Sequence, residues 1–156
     1  MLKNLTVRWA DEHDATSIFN LLCEMHSEIG EFPLSELKVA EHVNDVLSTG
    51  KSVVALIDGK IIGSIGLIGA EPWYSRSKII TDDWIFVSPK VPKRLSVFRA
   101  LMAEVKQYAI SVHIPLVISL YSGKENSRKS KLFNRYGKEI MRGFQFMEVG
   151  GEYRVQ

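Results

Sequence analysis

The sequence predicts a mixed α/β fold of the α+β kind. One central sheet of six or seven strands is flanked by four helices, in the order β-α-α-β-β-β-α-β-α-β(-β). Three observations lead there. Short apolar runs of strand length alternate with stretches whose apolar residues recur at helical spacing. Asp58-Gly59 joins two strand-like runs, the signal of a tight hairpin and hence of antiparallel pairing. Later, a long amphipathic stretch lies between two strand-like runs and marks a β-α-β crossover, expected to be right-handed.

Leu5-Thr-Val-Arg-Trp9 alternates and reads as the first strand. Asp11 then opens a helix as its cap, with Asp14 near the positive end of the dipole. Ala15, Ile18, Phe19, Leu22 and Met25 line one face of that helix; Gly30 and Pro33 end it. Ser35 caps a second helix with Val39, Ala40, Val43, Val46 and Leu47 on one face, and Gly50 stops it. The hairpin runs are 52–57 and 60–68. A type I′ turn at Asp58-Gly59 requires positive φ at both residues. After a loop holding Trp73 and Tyr74, Ile79 to Val87 is the fourth strand, stopped by Ser88-Pro89. A basic connector, 90–96, feeds a helix carrying Phe98, Leu101, Met102, Val105, Tyr108, Ala109 and Val112. Pro115 to Tyr121 reads as a buried strand, Asn126 to Tyr136 as a basic helix, and the tail as one or two short strands.

Length and composition fit a single domain, 1–156: 46% of the 156 residues are hydrophobic and 24% charged, which excludes disordered and collagen-like classes. A lone cysteine, Cys23, excludes an internal disulfide framework and suits a reducing, cytoplasmic setting. No signal peptide or membrane-length apolar run is read, so no membrane partner is expected. The four histidines show no metal-ligand spacing, so no metal is expected.

Charge is unevenly placed. Residues 1–50 hold three basic and nine acidic side chains; residues 90–142 hold twelve basic and three acidic. Such a chain suits a polyanion on one side and a cation on the other, or simply has two solvated faces.

Two motifs carry a family resemblance. Asp83-Trp-Ile-Phe-Val-Ser-Pro89 is followed by Lys93-Arg94-Leu95-Ser96-Val97-Phe98 at a helix start. Further on stands Asn126-Ser-Arg-Lys-Ser-Lys-Leu-Phe133-Asn-Arg-Tyr136-Gly137. With the element order, these resemble the GNAT superfamily of acyl-CoA-dependent N-acyltransferases across nearly the whole chain. The resemblance implies a GNAT-like sheet and acetyl-CoA, or another acyl-CoA, as cosubstrate. The diphosphate would sit against backbone N–H groups at the helix start. Lys93 falls at the family's Arg/Gln position, Ser96 at its first glycine and Phe98 at its second. The cofactor residues so implied are Phe86, Val87, Lys93, Arg94, Leu95, Ser96, Val97, Phe98, Asn126 and Phe133. Phe133 stands where the family often has the tyrosine that protonates the departing thiolate, leaving Tyr136 and Tyr121 as substitutes. The C-terminal half is also similar to a phage-encoded subgroup, which would place the protein in a host cytoplasm.

Family chemistry is direct attack of an amine on the thioester. It needs a base, an oxyanion donor, here around Phe86–Val87, and a leaving thiolate. By strand parity, Thr81, Asp83, Ile85 and Val87 share one face and Asp82, Trp84 and Phe86 the other. In the family the catalytic carboxylates lie on the strand leading into the Val-x-Pro step; with parity matching Val87, Asp83 is the base the resemblance implies, with Asp82 second. Ion pairs of these carboxylates with Arg76 or Lys78 are the structural alternative. The resemblance implies a small-molecule or protein amine acceptor, with Glu28, Glu31 and Phe32 as an acidic rim and pairing into a homodimer through C-terminal strands. Two other readings stand beside it. One is a catalytically impaired GNAT-like binding protein; the other is an enzyme modifying nucleic acid, held through the basic region 124–142.

Overall fold

The computed structural model describes residues 4–30, 32–119, 131 and 135. Five strands form one sheet in the order β1-β2-β3-β4-β5: β1 (Leu5–Trp9), β2 (Lys51–Ile57), β3 (Lys60–Ala70), β4 (Ile79–Val87) and β5 (Leu116–Val117). The first four form an antiparallel meander, and β5 adds parallel to β4 after the helical crossover. Three α-helices cover it: α1 (Ala15–Ile29), α2 (Glu36–Thr49) and α3 (Arg94–Val112). The described sheet and helices are therefore fewer than the six or seven strands and four helices expected. The remaining expected elements, the helix from Asn126 and the tail strands, lie outside the described residues, as do Tyr121, Phe133 and Tyr136.

Local chemistry accounts for the boundaries. Asp58 and Gly59 take φ of 49° and 78°, the mirror-image turn that matches the twist of the flanking strands. Asp11 caps a single 3-10 turn, Glu12–Asp14, rather than the helix itself. It accepts from the His13 N–H at 2.9 Å, while Asp14 accepts from the Asp11 N–H at 3.0 Å, a reciprocal capping box. Asp14, buried, also takes both arms of Arg8 at 2.7 and 2.9 Å and so ties β1 to the start of α1. Ser35 caps α2 by accepting from the Lys38 N–H. The strand expected over 115–121 is described only as two half-buried residues, Leu116 and Val117.

Two apolar clusters sandwich the sheet. On one face α3 buries Val97, Phe98, Leu101, Met102, Val105 and Ala109 against Val53, Ile65, Ile80 and Val87. On the other, Ile18 and Leu22 of α1 and Val43 and Val46 of α2 close over Val54 and Trp84. Trp84 lies flat on β3 where Gly66 faces it: a Cβ at Gly66 would stand 2.5 Å from the indole. Its Nε1–H donates to Ser64 Oγ at 3.0 Å, and Ser64 exchanges a 2.9 Å bond with Ser52, so the buried polar trio is satisfied. The run Gly63-Ser-Ile-Gly66 is thus explained by packing.

Candidate active site

The decisive irregularity is in β4. Gly66 pairs with Trp84 and Leu67 with Asp82, so Asp83 has no partner on β3 and forms a β-bulge. The bulge overturns the simple parity expected from alternation. Ile85 and Val87 pack toward α3, yet Asp83 turns to α2, where its carboxylate meets His42 Nε2. Trp84 lies on that same face, its ring edge-on to His42 with centroids 6.3 Å apart. His42 contacts both neighbours because the bulge gives two successive residues one facing.

Asp82 turns the other way. Its Oδ1 accepts from Ser119 N–H at 2.6 Å and Ser119 Oγ–H at 3.0 Å. Backbone pairing with β5 ends one residue earlier, at Thr81–Val117. A carboxylate therefore stands in the gap where a ladder bond would continue, and burial pushes its pKa above the ordinary carboxylate value despite the two Ser119 bonds. Neither carboxylate pairs with Arg76 or Lys78; their partners are Ser119 and His42.

Directly after β4, Ser88-Pro-Lys-Val91 makes a turn closed by Val91 N–H to Ser88 O at 3.2 Å. Lys93 follows with φ 59° and ψ 40°, the left-handed conformation that glycine adopts freely. The loop thus makes its sharp entry into α3 without glycine. Lys90 and Lys93 are exposed. Among the described residues, no acceptor meets the N–H groups of Arg94 and Leu95, while those of Ser96 and Val97 turn back to Lys93 O. Val97 and Phe98 bury their side chains in the α3 core, so the face of the helix start is left to Lys93, Leu95 and Ser96.

Arg94 is engaged otherwise. Its Nε donates to Val87 O at 2.6 Å, and its two terminal nitrogens fork onto Glu28 of α1 at 3.1 Å each. Its guanidinium also lies over the Phe86 ring, 5.3 Å from the centroid. Glu24, one turn earlier on α1, accepts from Ser88 Oγ at 2.8 Å and lies 3.4 Å from Lys90 Nζ. The acidic rim expected for an acceptor is therefore, at Glu28, tied to Arg94 of the basic collar that Lys90, Lys93 and Arg94 make at the start of α3; Phe32 is exposed and Glu31 lies outside the described residues. Trp73 and Tyr74 stand exposed in the β3–β4 loop. Burial raises the pKa of the Cys23 thiol, which fits an inert packing role.

Asn126, Phe133, Tyr121 and Tyr136 lie outside the described residues; in the basic region 124–142 only Lys131 and Arg135 are described, both exposed. Among the described residues no three His, Cys, Asp or Glu side chains gather as a metal-ligand group. No described helix is long and apolar enough to cross a membrane. A cavity of ≈ 580 Å³ opens beside Lys51, Leu67–Glu71 and Ile79, at the end of β4 away from the bulge. Sequence reasoning missed His42, which sits on the flank of an apolar helical stripe and 41 residues from its partner.

No protein-family model matches the sequence, and no curated protein does. Solved structures share the fold. A ribosomal-protein-alanine N-acetyltransferase from Brucella melitensis biovar Abortus 2308 superposes with TM-score 0.68 at 14% identity, covering 94% of this chain and 99% of that one. An aminoglycoside acetyltransferase from an uncultured soil metagenomic sample, in complex with trehalose, gives 0.68 at 17%, covering 93% and 97%. The aminoglycoside N-acetyltransferase AAC(6')-Iy, in complex with a bisubstrate analogue of coenzyme A and acetylneamine, gives 0.71 at 17%, covering 94% and 99%. The chain thus shares its fold with these acetyltransferases over nearly the full length of each.

Proposed function

We propose that this protein is an N-acetyltransferase that moves the acetyl group of acetyl-CoA to a primary amine by direct attack. One observation carries the reading: among the described residues the backbone ladder between β4 and β5 ends at Thr81–Val117, with Ser119 bonded to the Asp82 carboxylate instead, beside the Asp83 bulge and one short turn ahead of the α3 N-terminus. The carboxyl ends of parallel strands are the usual ligand position in such sheets.

The residues at hand suit the cosubstrate. The positive end of α3, with Lys90 and Lys93 beside it, would form an anion site for the diphosphate. The thioester arm would lie along β4 beyond Asp82, with a backbone N–H around Phe86–Val87 meeting the oxyanion. Asp83 faces the α1–α2 side, opposite α3, and on this reading takes part in deprotonating an acceptor that arrives from that side. The neighbours AAC(6')-Iy and the soil acetyltransferase suggest a small polycationic amine as acceptor.

Calorimetric titration of acetyl-CoA into the full chain tests this. Binding is expected, and Lys90→Ala/Lys93→Ala should weaken it about tenfold, roughly 1.4 kcal/mol. Wild-type protein that gives no heat with acetyl-CoA, and no thiol release with any amine, defeats the reading.

A further inference from the structure

Resting on that reading, we infer that His42 and Asp83 form one proton-accepting pair for the incoming amine, with His42 supplying the basicity that a lone carboxylate lacks. A free carboxylate titrates near 4 and an alkylammonium near 10, so direct transfer between them is steeply uphill at neutral pH. Free imidazole titrates near 6.5, much closer to what a base needs at that pH.

The geometry supports a pair. Asp83 accepts from His42 Nε2, which selects the tautomer whose Nδ1 carries the lone pair. The Asp83 side chain is 19% exposed and that of His42 52%, so the carboxylate stands at the bulge while the imidazole reaches water. The Trp84 edge fixes the ring, and Trp84 itself is anchored on Ser64 and Gly66. Other charges around His42 are few. On α2, Lys38 stands one turn before it and Asp45 one turn after, with Glu41 adjacent. On β4, Asp82 is turned to Ser119. On α1, Glu24 and Glu28 are turned to Ser88, Lys90 and Arg94, and the His26 ring meets Phe32 O. β2 and β3 bring Ser52, Val54, Ser64 and Ile68 to this face, none ionisable.

In the step, one N–H bond of the ammonium breaks and its electron pair stays on nitrogen. The proton ends on His42 Nδ1, leaving an imidazolium held by the Asp83 carboxylate. The amine attacks the thioester carbonyl carbon and the C–S bond breaks, its electron pair leaving with the thiolate; the second proton of the attacking nitrogen then passes to that thiolate, giving a neutral amide and the free thiol. The exposed imidazolium returns its proton to solvent.

Thiol release from acetyl-CoA by the full chain, with spermidine, an aminoglycoside and an alanine-initiated peptide as acceptors, tests the pair. His42→Gln keeps an amide donor for Asp83 but cannot hold the proton. It should lower kcat about 100-fold, leave acetyl-CoA affinity unchanged and abolish the rising limb of the kcat–pH profile. Asp83→Asn should slow the reaction and displace that limb to lower pH without removing it, since the imidazolium loses its carboxylate partner, and the double variant should be no slower than the worse single one. His42→Gln with wild-type kcat and profile, or additive effects in the double variant, overturns the pair while acetyl-CoA binding leaves the enzyme reading standing. Wild-type protein that neither binds acetyl-CoA nor releases thiol overturns both.

Discussion

Gly66→Ala puts the packing behind the site to a quantitative test. The added methyl would stand 2.5, 2.6 and 2.7 Å from three indole carbons of Trp84, where ordinary contact begins at 3.4 Å. The ring must therefore withdraw by about 0.9 Å. It has no easy direction, being buried among Ile18, Leu22, Val43 and Val46 and bonded to Ser64. Overpacking of a filled core costs about 1–3 kcal/mol. Stretching the Nε1–Ser64 bond in a buried trio adds about 1 kcal/mol. The expected loss is about 2–4 kcal/mol, or roughly 4–16 °C in Tm for a chain of this size. Thermal and urea unfolding of the variant give the number. Trp84→Leu should relieve the clash, so Gly66→Ala introduced into that background should cost less than about 1 kcal/mol. If it costs as much there as in the wild type, the ring is not what the methyl meets, and the account of how Trp84 seats the bulge fails.

Two further outcomes follow from the charges. Asp14 and Asp82 should give opposite pH slopes of stability. The Arg8 hydrogen bonds hold Asp14 below its ordinary 3.8, so its contribution is complete above that pH and disappears as pH falls through the lower folded value. Burial holds Asp82 above 3.8, so its ionisation opposes folding as pH rises from 3.8 through the higher folded value. Urea unfolding from pH 3 to 7 should therefore show a weakened acid-side loss in Asp14→Asn, and in Asp82→Asn removal of the opposing contribution; unchanged slopes in both contradict the assignments. Glu28→Gln should release Arg94 from its carboxylate fork and remove a negative charge beside the collar. Acetyl-CoA should then bind about threefold tighter by calorimetry; weaker binding would show that the fork serves to orient the collar.

Local signals were legible wherever one stretch of chain decides its own shape. Asp58-Gly59 specifies its turn through backbone sterics, Ser35 its helix start through one hydrogen bond, and the apolar stripes of α2 and α3 most of their buried faces through period, Val112 at the end of α3 being exposed instead. β1 and β4 therefore begin and end where the alternation says. What only the tertiary structure decided is what surrounds Asp83. Asp83 is displaced from its strand's parity because Gly66, on another strand, seats Trp84 one residue on. His42 joins it from a helix whose sequence advertises only a core stripe, Ser119 fills the gap at Asp82, and Glu28 claims Arg94. Each of these is a pairing between residues far apart in sequence. Register and ion-pair choice depend on which surfaces meet, and no local pattern carries that information.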